Sequence, residues 1–331
     1  MAIRKASDAE FLESWHRLKS PTLVAGELGY TLRRVYDKRR ELEAVTGIEL
    51  DAMPRGKYRE RIVNDAWLHQ VPEYVPEPKP VRKHVPLPEG KTHCVIPDVQ
   101  AKPGVPLDHL EWAGKYIADK KPDVIICIGD FADMPSLSSY DKGKRSAENK
   151  RYKKDIEAAH YAMELLMTPI VNEPGYKPRL VLTLGNHEER IVRFGDDNPA
   201  MHGVASLSDL GFEAWGWEVY PFLEVVEVDG IEYSHYFTTG AMGRPAGSAA
   251  VMLRERQKSC TMGHSQIYDV AVHKKTQNRA IMAATFYQHD ESYLGPQGND
   301  CRRHILFKHE VRAGKFDLME VSLEYLRKKY G

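Results

Sequence analysis

Three apolar, strand-like segments that each end in polar residues constrain this chain more than any other feature. They read HCVIPDVQ, DVIICIGDFAD and RLVLTLGNHEER, and the polar residues at their ends include Asp98, Asp130, Asn186 and His187. Apolar strands that alternate with helical stretches are typical of a mixed α/β domain, in which ligands gather at the carboxyl ends of the strands. The sequence therefore predicts an α/β domain over residues 91–331 with a polar site at one edge.

Two later segments carry similar residues after strand-like runs. IEYSHYF ends near His235, and SCTMGHSQ contains His264 and Gln266. Two divalent ions about 3.5–4 Å apart can clamp the attacking and leaving oxygens of a phosphoryl displacement. An Asp can bridge such ions, and imidazole and amide ligands suit Mn, Fe or Zn better than Ca. Glycines beside Asp130, Asn186 and His264 are expected to allow sharp turns of the backbone.

Taken in order, the motifs D-x-Q, GDxxD, GNHE, a strand-end His and GHSQ resemble those of the calcineurin-like metallophosphoesterase superfamily. The usual pattern of that superfamily is D-x-H, GDxxD, GNH(D/E), H and GHxH. The resemblance extends from about residue 91 to about residue 290, and the five motifs in order are far more specific than any one alone. It implies an αββα sandwich of two sheets, with two divalent metals at the strand ends and hydrolysis of phosphomonoesters or phosphodiesters as the reaction.

The resemblance also implies which residues hold the metals. Asp130 would bridge the two ions. The second ion would be completed by Asn186, His235 and His264, and this set matches the superfamily pattern.

The first ion is where the sequence departs from that pattern. It would take Asp98, but Gln100 and Gln266 stand where the superfamily has histidines. An amide oxygen is a harder and weaker ligand than imidazole, so we expect manganese first, with magnesium, iron, nickel and zinc as alternatives. Because both changes fall on one ion, a remodelled site is the favoured interpretation, and a degenerate site is the alternative.

The resemblance assigns catalysis to His187 and Asp130, with a metal-bound hydroxide as the nucleophile. His187 would lie beside the metals, stabilise charge on the phosphoryl group and protonate the leaving oxygen. Glu188 is a candidate for holding His187 in place, and Arg190 or Arg193 for reaching a substrate phosphate.

Other residues near these motifs are assigned smaller roles. Asp133 of the GDxxD motif is ranked below Asp130, as a residue that caps a turn. His202 and His289 are candidates for reaching the cleft from loops, and the remaining histidines are expected to be structural. The segment TTGAMGRPAG is either a mobile loop that gates the site or an ordinary surface connection.

Residues 1–70 are predicted to form a small all-α, helix-turn-helix-like domain. Ser7 and Glu10 form a capping-box pattern, Ser20 precedes Pro21, and Thr31 is placed to cap a third helix. Two helices joined by a short turn that contains Gly have the proportions of a helix-turn-helix.

The third of these helices is basic on its surface. We predict that this helix contacts DNA phosphates. The alternative is that its basic face is simply solvated and that the unit serves as an interaction or capping domain. The candidate nucleic-acid-binding residues are Arg33, Arg34, Lys38, Arg39 and Arg40.

Residues 71–90 contain six prolines, at positions 72, 76, 78, 80, 86 and 88. Proline removes a backbone donor, so this density predicts an extended, semi-stiff linker rather than a helix or a strand.

The composition excludes some classes of protein. The 47 Lys and Arg residues balance 47 Asp and Glu residues, which excludes a globally basic nucleic-acid-binding coat but not a local basic patch. The four cysteines are scattered, the first residues do not resemble a signal peptide, and no apolar run approaches the ~18 residues of a membrane span. We therefore expect a cytoplasmic protein with no membrane partner.

Three functions remain open at this point. The leading hypothesis is a metal-dependent DNA phosphodiesterase, a nuclease for which DNA is the partner. The alternatives are a small-molecule phosphatase or cyclic-nucleotide phosphodiesterase, and a DNA-binding protein with a degenerate metal site. A homodimer is a further option, since superfamily members often dimerise, but no sequence signal selects it. Strand preference and endo- or exonuclease action are not specified by the sequence.

Overall fold

The computed structural model describes residues 6–52, 89–201, 203–291 and 294–331, and these belong to two compact units. Residues 6–52 lie in the first unit, and the described residues from 89 onward form the second. His202 and the predicted linker, except for its last two positions, lie outside the described residues, so these two predictions stay predictions.

The first unit contains three helices, α1 (Asp8–Leu18), α2 (Pro21–Leu28) and α3 (Leu32–Thr46). Their starts follow the predicted capping residues. Ser7 and Glu10 form a reciprocal capping box, and Ser20 and Thr31 accept hydrogen bonds from backbone N–H groups in the first turns of α2 and α3. The helical region predicted at the N-terminal side of the chain is therefore present in this unit.

The three helices close around a small apolar core. Phe11 and Trp15 of α1 are fully buried, with ring centroids 6.0 Å apart, and they pack with Val24 and Val35. Burying a side chain of this size contributes about 1.5–3 kcal/mol. Four such residues on three short helices explain why so short a segment holds one arrangement.

The second unit is built from strands that alternate with helices. In chain order the strands are β1 (Lys91–Ile96), β2 (Val124–Cys127), β3 (Arg179–Thr183), β4 (Glu218–Tyr220), β5 (Val226–Val228), β6 (Ile231–Tyr233), β7 (Thr238–Thr239), β8 (Arg244–Pro245), β9 (Ser259–Met262), β10 (Tyr268–Val272), β11 (Arg279–Ala283), β12 (His304–Arg312) and β13 (Lys315–Ser322). The helices are α4 (Asp108–Lys120), α5 (Tyr152–Val171), α6 (Glu189–Asp197), α7 (Ala249–Arg256), α8 (Gly295–Gly298) and α9 (Leu323–Tyr330).

Two main sheets are present. The first has six strands in the order β13-β12-β1-β2-β3-β4, and the second has five in the order β10-β11-β9-β6-β5. Strands β1 to β4 run parallel to one another, and β9 runs parallel to both of its neighbours, β6 and β11. The carboxyl ends of these parallel strands therefore meet at a common edge.

Alternation along the strands builds three apolar layers. Cys94 and Ile96 of β1 face the cluster that contains α4 and α5, whereas Val95 faces the second sheet together with Ile231 and Tyr233. A third cluster, which includes Met252 of α7, covers the outer face of the second sheet. This is the αββα sandwich that the resemblance of the motifs implied.

The TTGAMGRPAG segment forms the short two-stranded pair β7–β8.

Among the helices that the structure describes, none is long and apolar enough to cross a membrane.

Candidate metal centre

Five loops at the carboxyl ends of strands bring the predicted ligands together. The loops after β1 and β2 are joined by the N–H of Gln100, which donates to the carbonyl of Asp130 over 2.8 Å. The loops after β6 and β9 are joined in the same way, since the N–H of Gly263 donates to the carbonyl of His235 over 3.0 Å. Backbone hydrogen bonds thus link four of the five loops in two pairs, so the loops that carry these ligands are not independent of one another.

The predicted ligands of the second metal form a tight cluster. Ligand atoms of Asp130, His235 and His264 all lie within 4.8 Å of one another. Oδ1 of Asn186 lies 2.7 Å from Nδ1 of His264 and 3.0 Å from Nε2 of His235. Oδ2 of Asp130 lies 3.3 Å from the same Nε2. All four side chains assigned to this ion therefore converge.

The orientation of His235 fits a cation at this point. Its Nδ1–H donates to the carbonyl of Ile128 over 2.9 Å, so the lone pair of a neutral ring lies on Nε2. That lone pair faces the oxygens of Asn186 and Asp130, which are also acceptors. Burial lowers the pKa of His235, but the negative charge of Asp130 outweighs this effect and raises that pKa to about 9. A proton on Nε2 relieves the repulsion among these three acceptor atoms, and a bound cation would relieve it in the same way.

His264 and Asp130 are held in the ionisation states that a metal needs. Burial and the neighbouring charge of His235 lower the pKa of His264 to about 4, so its ring is neutral near pH 7. Burial would raise the pKa of Asp130, but the charges of His187 and His235 hold it below its usual range. A neutral imidazole and an ionised carboxylate are the forms that bind divalent metals.

The predicted first site contains buried acceptors with no partner. Oδ1 of Asp98 accepts a hydrogen bond from the N–H of His264 over 3.0 Å. Its other oxygen, Oδ2, and Oε1 of Gln100 are buried and have no hydrogen-bond donor among the described residues. Unpaired buried acceptors are costly, and a cation would satisfy both. The residues present therefore fit a first metal held in part by an amide oxygen.

Gln266, the third predicted ligand of the first metal, follows His264 by two residues and contacts Tyr287. Its Oε1 accepts a hydrogen bond from the hydroxyl of Tyr287 at 3.4 Å.

Burial raises the pKa of Asp98 to about 7, with the charge of Asp130 adding to the effect and that of His235 opposing it. A bound cation would reverse this shift, because it favours the ionised carboxylate.

Four ligand residues have a strained backbone. The φ angles are 48° for Gln100, 50° for Asp130, 64° for His264 and 56° for Gln266. Residues other than glycine seldom adopt this left-handed region, and each such residue costs on the order of 1 kcal/mol or more. Local propensity does not predict this conformation, so it reflects constraints imposed by the folded site.

Two glycines are required by close approach rather than by a turn. A Cβ on Gly185 would lie 2.1 Å from Oδ1 of Asp130, and a Cβ on Gly263 would lie 2.2 Å from Oδ1 of Asp98. Neither glycine has a positive φ. Close approach to the carboxylates of Asp130 and Asp98 therefore accounts for both glycines without a left-handed backbone.

His187 lies beside the metal cluster, where the sequence predicts it. Its Nε2 is 3.6 Å from Oδ2 of Asp130, and its backbone N–H donates to Oδ1 of the same carboxylate over 2.9 Å. Its Nδ1 is 2.6 Å from Oδ1 of Asp133. Asp133 is therefore the residue that orients His187, a larger role than the turn cap predicted for it.

Glu188 does not hold His187, which corrects the prediction. Its carboxylate is fully buried and accepts hydrogen bonds from the N–H groups of Asp130, Ala132 and Gly185, at 3.1, 2.8 and 2.8 Å. Burial and the charge of Asp130 raise the pKa of Glu188. Glu188 instead fastens the loop after β2 to the loop after β3.

Two arginines from the same region contact site residues. Nη1 of Arg190 donates to the carbonyl of Asp133 over 2.7 Å, and Nη2 lies 3.3 Å from Nε2 of His187. Nη2 of Arg193 donates to the carbonyl of Asn186 over 3.0 Å. Of these two arginines, Arg190 is therefore the one that contacts His187.

Sequence reasoning missed Lys102 and Glu291. Nζ of Lys102 lies 3.1 Å from Oδ2 of Asp133 and also pairs with Glu291, which lies 2.8 Å from Nε2 of His289. His289 thus reaches the cleft only through this chain of contacts. The sequence offered only a weak indication that Lys102 belongs to the site, namely its position two residues after Gln100, and no motif indicated Glu291.

The basic residues of α3 differ in their surroundings. Lys38 is buried and paired with Asp8 and Glu41, at 2.6 and 3.4 Å, and Arg39 is paired with Glu43 at 2.8 Å. Three of the five predicted contact residues keep exposed side chains, namely Arg33, Arg34 and Arg40. A shallow groove along this face is lined by Arg33, Tyr36, Asp37, Arg39, Arg40 and Glu43.

The two-sheet sandwich and its cluster of carboxylate, imidazole and amide ligands define a metal-dependent phosphoester hydrolase. The family model described as calcineurin-like phosphoesterase matches residues 92–312, which is more than half of the chain, and the chain belongs to this family. No curated protein matches the chain. The family predicted from the five motifs is thereby confirmed.

Proposed function

We propose that this protein is a metal-dependent DNA phosphodiesterase. The observation that carries the proposal is the presence, in one chain, of a phosphoesterase centre and a three-helix unit with exposed Arg33, Arg34 and Arg40 on its third helix. Such side chains suit DNA phosphates, and a tethered binding unit raises the local concentration of its substrate.

The site residues support a centre of two divalent ions. Asp130 would bridge them, with the second ion completed by Asn186, His235 and His264, and the first held by Asp98, Gln100 and Gln266. When bound, the two ions would supply an activated water nucleophile and stabilise charge on the phosphoryl group. We propose manganese for the amide-containing first site, because amide oxygen is a harder ligand than imidazole.

His187 is the proposed general acid. With Nδ1 held by Asp133, Nε2 is the ring nitrogen that faces the cluster. A proton on Nε2 can stabilise a phosphoryl oxygen and then move to the leaving oxygen, and such catalysis contributes typically about 10²–10⁴-fold. Burial lowers the pKa of His187, but the charges of Asp130 and Asp133 outweigh it and raise that pKa, which favours the protonated ring.

The experiment uses metal-stripped full-length protein reloaded separately with Mn²⁺, Mg²⁺, Zn²⁺ or Ni²⁺. Hydrolysis of an aryl phosphodiester and of labelled single- and double-stranded DNA is measured in parallel, with Asp130→Asn as the inactive control. We expect Mn²⁺-dependent cleavage of both kinds of substrate.

A pair of charge variants tests the role of α3. Arg33→Gln/Arg40→Gln should weaken DNA cleavage but leave hydrolysis of the aryl diester intact, whereas the matched pair Arg17→Gln/Lys19→Gln should change neither. Cleavage of the aryl diester alone would replace the nuclease proposal with a small-molecule phosphatase or cyclic-nucleotide phosphodiesterase. DNA binding without turnover by any metal would indicate a degenerate metal site.

A further inference from the structure

A second basic surface lies in the catalytic unit. Residues 139–154, which we call the basic loop and whose last three residues begin helix α5, read SYDKGKRSAENKRYKK and contain seven Lys and Arg residues against two acids. The complete chain has no net charge, so this is a strong local excess of positive charge. It belongs to neither the metal centre nor the helix α3.

The basic loop is fixed close to the catalytic residues. The segment that leads into it begins at Met134, directly after Asp133, and the N–H of Ser136 donates to the buried carboxylate of Asp155 over 2.8 Å. Within the loop, Asp141 accepts hydrogen bonds from Lys150 and Ser146, both at 2.6 Å. The loop is therefore held at its two ends and across its middle.

Most of the basic side chains of the loop are free to meet a ligand. Five of them are exposed and have no acidic side chain within ion-pairing distance in the described part of the chain, namely Lys142, Lys144, Arg145, Arg151 and Lys154. Arg151 is also the N-cap of the twenty-residue helix α5, whose amino end carries a partial positive charge. Uncompensated charge of this kind attracts a polyanion.

An exposed aromatic ring accompanies these charges. Tyr140 is 80% exposed and lies two residues before Lys142. A surface cation cluster alone fits any polyanion, whereas a free aromatic ring among cations is what unpaired nucleic-acid bases use for stacking. A duplex hides the faces of its bases, so Tyr140 favours a single strand.

We propose that the basic loop binds single-stranded nucleic acid, with Lys142, Lys144 and Arg145 on its phosphates and Tyr140 stacked on a base. The proposal rests on the proposed function, because the segment that leads into the loop directly follows Asp133 of the proposed phosphodiester-hydrolysing centre. It assigns recognition of the reacting strand to the catalytic unit itself, separately from α3.

The test measures binding of a labelled single-stranded oligonucleotide by fluorescence anisotropy at several salt concentrations. Full-length protein with Asp130→Asn is used so that the strand stays intact. Removing the charges with Lys142→Gln/Lys144→Gln/Arg145→Gln should raise Kd about 10-fold or more and reduce the slope of log Kd against log salt by about 2, since each phosphate contact on a single strand contributes about 0.7.

Two matched variants test whether the effect comes from the charge of these residues and from their position in the basic loop. Lys142→Arg/Lys144→Arg keeps the charge and should bind like the parent. Lys274→Gln/Lys275→Gln/Lys328→Gln removes three exposed charges elsewhere and should also bind like the parent. Melting temperatures of all variants show that they are folded.

Tyr140→Ala tests stacking. It should weaken single-strand binding about 5- to 100-fold with the salt slope unchanged, leave duplex binding unaffected, and be rescued by Tyr140→Phe. Binding equal to the parent in both the charge and the Tyr140 variants would overturn the proposal. Competition by polyglutamate as strong as that by DNA, with no effect of Tyr140→Ala, would overturn it in favour of an acidic protein partner. Because binding is measured without turnover, failure to cleave DNA counts only against the proposed function.

Discussion

Oδ1 of Asp133 lies 2.6 Å from Nδ1 of His187, and this contact determines which nitrogen of the ring faces the metal centre. Nη1 of Arg190 lies 3.3 Å from the same oxygen, and Nζ of Lys102 lies 3.1 Å from Oδ2 of Asp133. His187, the proposed general acid, is therefore oriented by a carboxylate that is itself held in place.

Asp133→Asn should lower kcat about 10- to 100-fold, because loss of an orienting partner frees the ring to adopt the wrong tautomer. Metal content should not change, since Asp133 is not one of the proposed ligands. Steady-state hydrolysis of an aryl phosphodiester and elemental analysis of the purified protein measure the two quantities. An unchanged kcat would show that Asp133 does not orient His187.

Lys102→Met should reduce the free energy of unfolding by about 3 kcal/mol, because it leaves the carboxylates of Asp133 and Glu291 buried without their shared cation. Lys102→Met/Glu291→Gln should recover part of this loss, since it removes one of the two carboxylates. Urea denaturation of both variants measures the effect. A double variant no more stable than the single variant would contradict this account.

Mn²⁺ should raise the melting temperature of metal-free protein, because a cation satisfies the unpaired oxygens of Asp98 and Gln100. At a free concentration 100 times Kd, one bound ion stabilises the fold by about 2.7 kcal/mol. Gln100→Leu should reduce the metal content from two ions per chain to one, whereas the exposed Gln297→Leu should leave it at two. Two ions in Gln100→Leu would remove Gln100 from the ligand set.

Gly185→Ala and Gly263→Ala should each lower kcat about 100-fold, because the new methyl group would displace the carboxylate of Asp130 or Asp98, which we propose as metal ligands. Metal affinity, measured by calorimetry, should fall with kcat. Gly247→Ala is the control, since a Cβ there would meet no atom within 4 Å. Normal metal affinity in Gly185→Ala would show that the loop after β3 can move aside.

Stability should decrease as the pH falls from about 6.5 towards 4. Burial is the main reason that the pKa of His93, His109 and His304 is lowered from 6.5 to about 4 in each case. The unfolded chain then binds protons more strongly than the folded one, so the stabilisation is full above pH 6.5 and is lost as the pH falls towards 4.

His109→Gln should flatten this dependence by up to about 1.4 kcal/mol per pH unit, the contribution of one proton. In the parent, Nε2 of His109 lies 3.1 Å from the carbonyl oxygen of Phe286. Glutamine is chosen because its amide can still donate a hydrogen bond to this carbonyl. Urea denaturation across the pH range gives the slope. A slope equal to that of the parent would show that His109 titrates alike in the folded and unfolded chains.

Much of the site was predictable because its residues follow strands. Asp98, Asp130 and Asn186 each come directly after an apolar run, and parallel strands place such positions at one edge of a sheet. The helices of the first unit were predictable for a similar reason, since their caps are local in sequence. These predictions needed the order and type of residues but no knowledge of distances.

The partner of His187 was not predictable in this way. Glu188 is its neighbour in sequence, yet its carboxylate turns to backbone N–H groups of two loops, and Asp133 takes the ring instead. Whether Glu188 or Asp133 contacts the His187 ring depends on how the loop after β2 and the loop after β3 are joined. That joining is a property of the sheet, because β2 and β3 lie side by side.

By itself, the sequence determined a mixed α/β domain, the order of the ligand motifs and the caps of the first three helices, because each depends on local periodicity or on strand ends. The sandwich was implied by the resemblance of the five motifs to a known superfamily. Only the tertiary structure decided that Lys102 meets Glu291, 189 residues away, and that Lys38 is buried against Asp8 while Arg33 remains exposed. It also decided the left-handed backbone of the ligand residues. Contacts between distant segments, and the strain that they impose, arise only when the strands assemble, so no local pattern carries them.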